Sequence, residues 1–351
     1  MKSLFPLACF VIALLTISWV PADIAALSVG QQPQISADNK GVVRLVFGRN
    51  DSIFCATSDN QGISFRSPEF VGYVKGMHLG MARGPQMASS VRFTMITAID
   101  KAGDIHFFQL TNRDNKWIGR GTVNDLRSSA PEGLMSIAAD DKDHFYAVWL
   151  DTRIGKRNNI YFSFFDAATN KWSGNKLVYQ SPDNHVCECC KPNIAVQKGS
   201  VAIMFRNWLQ GSRDLYLIRS EDRGNTFGMA QKLGTGTWKL NGCPMDGGGL
   251  VFDKKGNIHT IWQRQGNIYI CQPGQNETML AAGRTCGMVT DTQKNRLLVS
   301  YQDGENTKLV DIAKNEILLT VKGTYLRSAI LANGKIICAW ESNKSVSVRP
   351  I

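Results

Sequence analysis

The chain has 351 residues, of which 43% are hydrophobic and 20% are charged, and its formal net charge is +11. This is the composition of a folded globular protein. No run of Lys and Arg exceeds two residues, which argues against a nucleic-acid-binding tail, so we expect no nucleic-acid partner. The dispersed positive charge suits an acidic glycan or another anionic ligand, or serves solubility alone.

Residues 1–26 are predicted to be a secretory signal peptide. Lys2 gives a positive start, the stretch from Leu4 to Val20 is almost wholly apolar, and "PADIAALS" supplies small residues for cleavage. An uncleaved anchor is the alternative, but the apolar stretch is short for a span of about 20 residues. We therefore expect an exported protein, periplasmic or secreted, with no membrane span after cleavage and one domain over residues 28–351.

Seven segments of the mature chain follow one pattern. Each begins with a small-residue apolar strand, turns through Asp, Asn, Lys and Gly, and continues into an aromatic and β-branched strand. A polar loop, an alternating third strand and, in most segments, a short fourth strand follow. The segments begin at residues 33, 85, 133, 192, 248, 287 and 328. Four strands repeated about every 40–60 residues, without a helical period, predict an all-β protein built as a single β-propeller.

The pattern predicts seven four-stranded blades, with six as the alternative. The last segment has no obvious fourth strand, but the mature N-terminus, "LSVGQQ" (27–32), would supply one. Closing the ring in this way would leave no free sheet edge. We expect the protein to be a monomer.

The loop "SEDRGNTF" (220–227) matches the pattern S-x-D-x-G-x-T-[WF] at every position, and "SDNQGISF" (58–65) is a degraded copy. These loops resemble the Asp-box, or BNR repeat, of sialidase-like propellers. The resemblance implies a tight turn between the third and fourth strands, with the aromatic residue packed between blades. Asp222, Gly224 and Phe227 would then maintain the fold and would not act on a substrate.

In a propeller, the residues just before each first strand surround one mouth of the central channel. At that position the segments carry "ARGPQ" (82–86), "APEGLM" (130–135), "CECCKP" (187–192), "CPMDGG" (243–248), "RTCGM" (284–288) and "TYLRS" (324–328). Loops after the second strands, such as "WLDTR" (149–153), join the same face. We therefore predict a ligand site at this mouth. Its predicted ligand-binding residues are Arg83, Arg153, Arg206, Arg213 and Trp238.

The motifs "RGPQ", "EGLM", "WLDTR", "CECC" and "GTWKLNGCPMDGG", in this order, are similar to those of a group of exported bacterial propellers usually placed with sialidases. The sialidase resemblance implies three arginines that hold a substrate carboxylate, a Tyr–Glu nucleophile pair, and an Asp acid/base. The catalytic candidates are Tyr325, Glu132, Asp151 and Asp246. The chain departs from sialidases because its first blade has no Arg-Ile-Pro motif and because seven blades are expected.

The three thiols of "CECC" have two interpretations. Cys187, Cys189 and Cys190, with Cys243, offer soft ligands that suit copper(I) or zinc. Alternatively, Cys243 forms a disulfide with one of the three and links blade four to blade five. We favour the disulfide, because adjacent cysteines do not easily bind one ion and because an exported protein tends to oxidise its thiols.

The sequence thus predicts an exported propeller whose channel mouth binds an anionic or carbohydrate small ligand. Glycoside hydrolysis of the sialidase type is one hypothesis. The alternatives are a binding module without catalysis and a copper- or zinc-thiolate protein. The preferred interpretation requires no cofactor.

Overall fold

The computed structural model describes residues 26–111, 115–291 and 293–351, and every regular element in these ranges is a β-strand. The predicted signal peptide lies outside the described residues, except for Ala26. No described segment forms a helix with the length and hydropathy that crossing a bilayer requires.

The strands of the first three blades follow each other along the chain. A short strand, β1 (Ser28–Val29), comes before them. Blade one consists of β2 (Gln31–Ala37), β3 (Val43–Arg49), β4 (Ser52–Ser58) and β5 (Glu69–Tyr73). Blade two consists of β6 (Gln86–Ser89), β7 (Phe93–Ile99), β8 (Ile105–Thr111) and β9 (Trp117–Thr122). Blade three consists of β10 (Met135–Ala139), β11 (His144–Asp151), β12 (Asn159–Asp166), β13 (Lys171–Trp172) and β14 (Lys176–Tyr179).

The remaining blades repeat this order. Blade four consists of β15 (Asn193–Gln197), β16 (Ser200–Arg206), β17 (Leu215–Ser220) and β18 (Gln231–Lys232). Blade five consists of β19 (Gly249–Phe252), β20 (Ile258–Arg264), β21 (Asn267–Cys271) and β22 (Thr278–Ala282). Blade six consists of β23 (Arg284–Asp291), β24 (Arg296–Asp303), β25 (Asn306–Asp311) and β26 (Glu316–Lys322). Blade seven contributes β27 (Thr324–Ile330), β28 (Ile336–Ser342) and β29 (Ser345–Pro350).

The described chain closes into a ring of seven antiparallel blades, which confirms the predicted propeller and the preferred blade number. The first strands of successive blades contact each other around the ring, and β27 contacts β2 to complete it. The predicted closure by the N-terminus is also confirmed, because β1 pairs with β29 in the register Ser28 opposite Val346. A strand from the start of the chain therefore completes the last blade.

The second strands are buried because a neighbouring blade packs on each of their faces. In β11, seven of eight residues are buried, and in β16 six of seven. Such strands are almost continuously apolar and do not alternate. Aromatic residues fill the space between blades: the ring of Phe107 lies 6.0 Å from that of Phe165 and 5.8 Å from that of Trp172. Edge-to-face pairs of this kind add about 0.5–1.5 kcal/mol beyond area burial.

The loop 220–227 connects the third and fourth strands of blade four. Asp222 accepts hydrogen bonds from the amide and the hydroxyl of Thr226 (2.8 and 2.6 Å). Gly224 has a left-handed backbone, and a Cβ at this position would overlap the ring of Phe162 in blade three. The ring of Phe227 packs 5.2 Å from that of Phe162. The loop therefore holds two blades together and lies away from the channel.

Glu277 links blades four and five. Its carboxylate accepts hydrogen bonds from the amides of Thr235 (2.6 Å) and Gly236 (2.9 Å) and forms a 2.7 Å ion pair with Arg264. Burial by itself would raise the pKa of Glu277, but these amide and guanidinium hydrogen bonds outweigh it and hold the pKa at about 2, against a usual value of 4.5. The ionised carboxylate of Glu277 therefore stabilises the folded state.

We expect Glu277→Gln to lower the free energy of unfolding by about 1.5–3 kcal/mol at pH 7, because the substitution removes a charge-assisted hydrogen bond at a side chain that is only 6% exposed. A lowered carboxyl pKa stabilises the fold above the unfolded-state pKa, and this stabilisation is lost as pH falls through the folded-state value. The difference between wild type and variant should therefore shrink between about pH 4.5 and pH 2. Urea unfolding of both proteins at pH 7, 4.5 and 3 measures this difference in the free energy of unfolding. Glu305→Gln, in an exposed pair, is the control, and a difference that does not change with pH would contradict the prediction.

Candidate functional site

The loops that precede the first strands converge on one mouth of the channel, but the four predicted arginines have different partners there. Arg83 donates a hydrogen bond to the carbonyl oxygen of Glu132 (2.5 Å) and lies 3.7 Å from its carboxylate. Its Nη1 atom is buried and has no hydrogen-bond partner among the described residues. Arg83 and Glu132, which come from blades two and three, thus pair at the rim, but the pair leaves one guanidinium nitrogen of Arg83 without a partner among the described residues.

Arg153 and Asp151 form a separate pair in blade three. The Asp151 carboxylate is fully buried and accepts bonds from Arg153 Nε (3.0 Å), Arg153 Nη2 (2.9 Å) and the indole of Trp149 (2.9 Å). Arg153 also donates to Asp125 (2.8 Å) and lies over the ring of Tyr161. The guanidinium of Arg153 therefore donates its hydrogen bonds to protein groups. The Asp151 carboxylate is enclosed, so it cannot exchange a proton with a ligand at the mouth.

Arg206 is the most deeply buried arginine of the predicted set, with 1% of its surface exposed. Its guanidinium donates to the carbonyl oxygens of Arg213 (2.7 Å), Asp246 (3.0 Å) and Gln263 (2.9 Å). No carboxylate pairs with it among the described residues. Trp238 is also buried and lies 5.5 Å from the guanidinium carbon. Arg206 therefore fastens blade four to blade five.

Arg213 points to the cysteines. It donates a 2.9 Å hydrogen bond to the sulfur of Cys187 and lies 3.4 Å from the carboxylate of Glu188. Its guanidinium also stacks over the ring of Trp208 at 4.4 Å. The hydrogen bond between Cys187 and Cys190 lowers the pKa of Cys187 to about 7; burial opposes this shift, and the charge of Arg213 adds to it.

Four of the cysteines at the mouth lie together. Cys189 and Cys243 form a disulfide with Cα atoms 6.1 Å apart, within the span that a disulfide allows. The Cys187 sulfur lies 3.7 Å from that of Cys189 and 3.5 Å from that of Cys190. A link between blades four and five is thus present, as the preferred interpretation of the sequence expects.

Asp246 and Tyr325 face the channel. They line one mouth cavity together with Met245, Thr285 and Cys286. The two carboxylate oxygens of Asp246 accept hydrogen bonds from the amides of Gly248 (2.9 Å) and Thr285 (2.8 Å), which fix its orientation. Tyr325 has a left-handed backbone (φ 54°), an unfavourable conformation for a residue with a large side chain. Of the predicted site residues, only these two line this cavity.

Two cations that the sequence analysis did not select, Lys191 and Arg327, lie in the same cavity. Lys191 follows "CECC", and its ammonium group reaches Gln86 of blade two at 3.2 Å. Arg327 lies on β27, and its only hydrogen bond that the structure shows is to the carbonyl oxygen of Leu326. Burial, followed by the charge of Arg327, lowers the pKa of Lys191 to about 7, and burial also lowers the pKa of Arg327. Neither forms an ion pair with a carboxylate in the part of the chain that is described.

The channel behind these cations holds a cavity of about 200 Å³. Its wall comes mainly from the first strands of blades three to seven, and Leu298, Ser300 and Leu309 add side chains from the second and third strands of blade six. Sites for drug-sized ligands usually measure about 300–1,000 Å³. The cavity is therefore large enough for a small polar group or one sugar ring, and too small for several rings of a glycan.

No protein-family model matches the chain, and no curated protein matches it either. Solved structures match it in fold. The hydrazine synthase of Kuenenia stuttgartiensis is 11% identical, with 97% of this chain and 99% of that chain covered and a TM-score of 0.59. The BP39L lectin of Burkholderia pseudomallei is 10% identical, with 92% and 99% covered and a TM-score of 0.59.

A further match is an ulvan lyase of polysaccharide lyase family PL25, bound to -[GlcA(1-4)Rha3S]-. It is 10% identical, with 93% of this chain and 94% of that chain covered and a TM-score of 0.54. At such low identities these similarities show the propeller fold alone. The resemblance to an Asp-box subgroup with "CECC" and "CPMDGG" stays a prediction.

Proposed function

We propose that the channel mouth binds a small acidic ligand, a sugar acid or the acidic end of a glycan, through Lys191 and Arg327. The observation that carries the proposal is that two cations from different blades face one cavity without a carboxylate partner among the described residues. The Asp246 carboxylate lines the same cavity but forms no ion pair with either group, so at least one positive charge there is left for a bound anion to compensate. A bound carboxylate would accept hydrogen bonds from both groups.

Other features of the mouth support a sugar as the body of this ligand. Asp246 offers an oriented carboxylate that would accept hydrogen bonds from sugar hydroxyls, and Tyr325 and Gln86 add polar groups nearby. The mouth cavity measures about 40 Å³ and the channel cavity behind it, which Lys191 and Arg327 also line, about 200 Å³. These volumes favour one terminal ring held in the channel over an internal stretch of a chain. The lectin and lyase among the structural neighbours are carbohydrate-binding or carbohydrate-processing propellers, and the lyase is bound to a saccharide that contains GlcA. We also propose that the protein is exported.

Binding is favoured over hydrolysis. A sialidase-type mechanism requires a carboxylate that activates the tyrosine nucleophile. In the described chain no carboxylate accepts a hydrogen bond from the hydroxyl of Tyr325, and Glu132 is paired with Arg83. Asp246 and Tyr325 share the mouth, so hydrolysis is the second candidate function.

Calorimetry with glucuronate, galacturonate and N-acetylneuraminate, beside neutral glucose and fucose, tests the proposal. We expect at least one acid to bind, and Lys191→Met and Arg327→Met each to weaken binding about tenfold or more, since a charge-assisted hydrogen bond contributes about 1.5–3 kcal/mol. Lys322→Met, on the outer strand of blade six, is the matched control and should bind like wild type. Equal binding by all three variants, or binding of neutral sugars alone, would exclude this site.

The same preparations distinguish a binding module from an enzyme. Incubation with aryl sialosides and aryl uronides should show binding without release of the aryl group. Release that is lost in Tyr325→Phe and Asp246→Asn but kept in Lys322→Met would establish the hydrolase instead.

A further inference from the structure

The cysteine cluster beside the channel mouth is a more compact arrangement than one disulfide requires. The sulfur atoms of Cys187, Cys189 and Cys190 all lie within 4.8 Å of one another, and Cys243 joins them through its bond to Cys189. The first three residues are at most 6% exposed, whereas Cys243 is exposed. The cluster is therefore enclosed by protein on one side and open to solvent on the other.

This geometry removes an objection that the sequence raises. Neighbouring residues such as Cys189 and Cys190 often direct their side chains apart, but here the turn brings both sulfurs to the same side. Zinc–sulfur bonds of about 2.3 Å in a tetrahedron imply sulfur–sulfur distances of about 3.8 Å. The observed distances of 3.7 and 3.5 Å from the Cys187 sulfur differ from this by a few tenths of an ångström.

The surrounding charges indicate an anionic cluster. Arg213 donates to the Cys187 sulfur at 2.9 Å, and its carboxylate neighbour Glu188 is 43% exposed at the side chain. Arg206 is fully buried and has only carbonyl partners among the described residues. Buried guanidinium groups need a compensating negative charge. A complex of four thiolates with a divalent ion, or of three thiolates with a monovalent ion, has a net charge of −2. This charge would balance the two arginines.

Met245 packs against the three buried cysteines. A thioether is a soft group that is compatible with thiophilic ions and keeps water from the cluster. The entry side at Cys243 gives an ion a path from solvent.

We propose that Cys187, Cys189, Cys190 and Cys243, when reduced, bind one thiophilic metal ion, copper(I) or zinc. The Cys189–Cys243 disulfide is the oxidised and metal-free state of the same cluster. A thiol or phosphine reductant supplies the two electrons that open it, each sulfur takes up one proton, and the reductant leaves as its own disulfide or phosphine oxide; metal binding then releases the protons. The site does not depend on the proposed ligand site, because its ligands are sulfur atoms and the anion is held by Lys191 and Arg327.

Metal titration of the reduced full chain tests the site. After phosphine reduction under argon and removal of the phosphine, zinc is added against a chromogenic chelator, and copper(I) is added against bicinchoninate in a separate arm. We expect one ion per chain in at least one arm, and binding about 100-fold weaker in Cys190→Ser. Cys271→Ser is the matched control: this thiol lies in blade five and donates to the carbonyls of Gln272 and Gln275, which a hydroxyl can also do. It should bind metal like wild type.

X-ray absorption of the metal-loaded wild type keeps the test decisive if Cys190→Ser does not fold. Sulfur neighbours at about 2.3 Å would support the site. A first shell of nitrogen and oxygen alone would overturn it. The absence of binding by reduced wild type in both arms, or equal affinity in a folded Cys190→Ser, would overturn it as well.

Discussion

Arg206→Met is expected to lower the free energy of unfolding by about 3–5 kcal/mol. The substitution keeps most of the side-chain volume but removes every hydrogen bond of the guanidinium. The carbonyl oxygens of Arg213, Asp246 and Gln263, which come from two neighbouring blades, would lose these bonds inside the protein. A buried acceptor without a partner costs about 1–3 kcal/mol.

Urea unfolding monitored by tryptophan fluorescence measures this loss. The matched control is Arg284→Met, at an exposed arginine in blade six, which should change stability by no more than about 0.5 kcal/mol. A loss below about 1 kcal/mol for Arg206→Met would mean that the carbonyl network contributes little.

Asp151→Asn is expected to destabilise the protein by about 2–4 kcal/mol. The amide has nearly the same shape, but the charge that holds the Arg153 guanidinium disappears from a fully buried position. The remaining carboxylate partner of Arg153 is Asp125, whose side chain is 49% exposed. The exposed partner cannot replace the buried one, because solvent screens it.

Asp125→Asn is the natural control, and it should cost about 0–1 kcal/mol. A double-mutant cycle with Arg153→Met isolates the buried pair, and we expect a coupling energy above about 1 kcal/mol. Equal losses of stability in Asp151→Asn and Asp125→Asn would contradict the prediction that the buried pair contributes more than the exposed one. Ligand binding by Asp151→Asn should be measured only where the variant is shown to be folded, since loss of binding would otherwise report unfolding.

The propeller could be predicted from the sequence because its signals are local and repeated. Each blade repeats the same turn residues and apolar strands, and the buried second strands are visible as continuous apolar stretches. The closing pair of β1 with β29 joins distant parts of the chain, yet it follows from counting strands: the last segment lacks one and the N-terminus has one to spare. Similarly, the approach of Cys243 to "CECC" follows from the order of consecutive blades.

The composition of the site could not be predicted in the same way. The repeat register places Arg83, Arg153, Arg206 and Arg213 on one face, but it does not show which groups their guanidinium donors meet. Arg206 is held by carbonyl oxygens, and every residue has a carbonyl, so no residue type in the sequence marks them. The partner of Arg153, by contrast, lies two residues away in "WLDTR", so this pair does have a signal in the sequence.

The all-β class, the seven repeats, the closure of the ring and the meeting of four cysteines could be predicted from the sequence alone, because strand period, turn chemistry and blade order are local properties of the chain. The folded structure was needed to show which charged groups at the mouth have no ion-pair partner among the described residues. That outcome depends on distances across the channel between blades, such as the 3.2 Å from Lys191 to Gln86, and on the burial of each group. Lys191 and Arg327 look like ordinary cations in the sequence, and they become candidate ligand-binding groups because the folded ring brings them to one cavity without a carboxylate partner among the described residues.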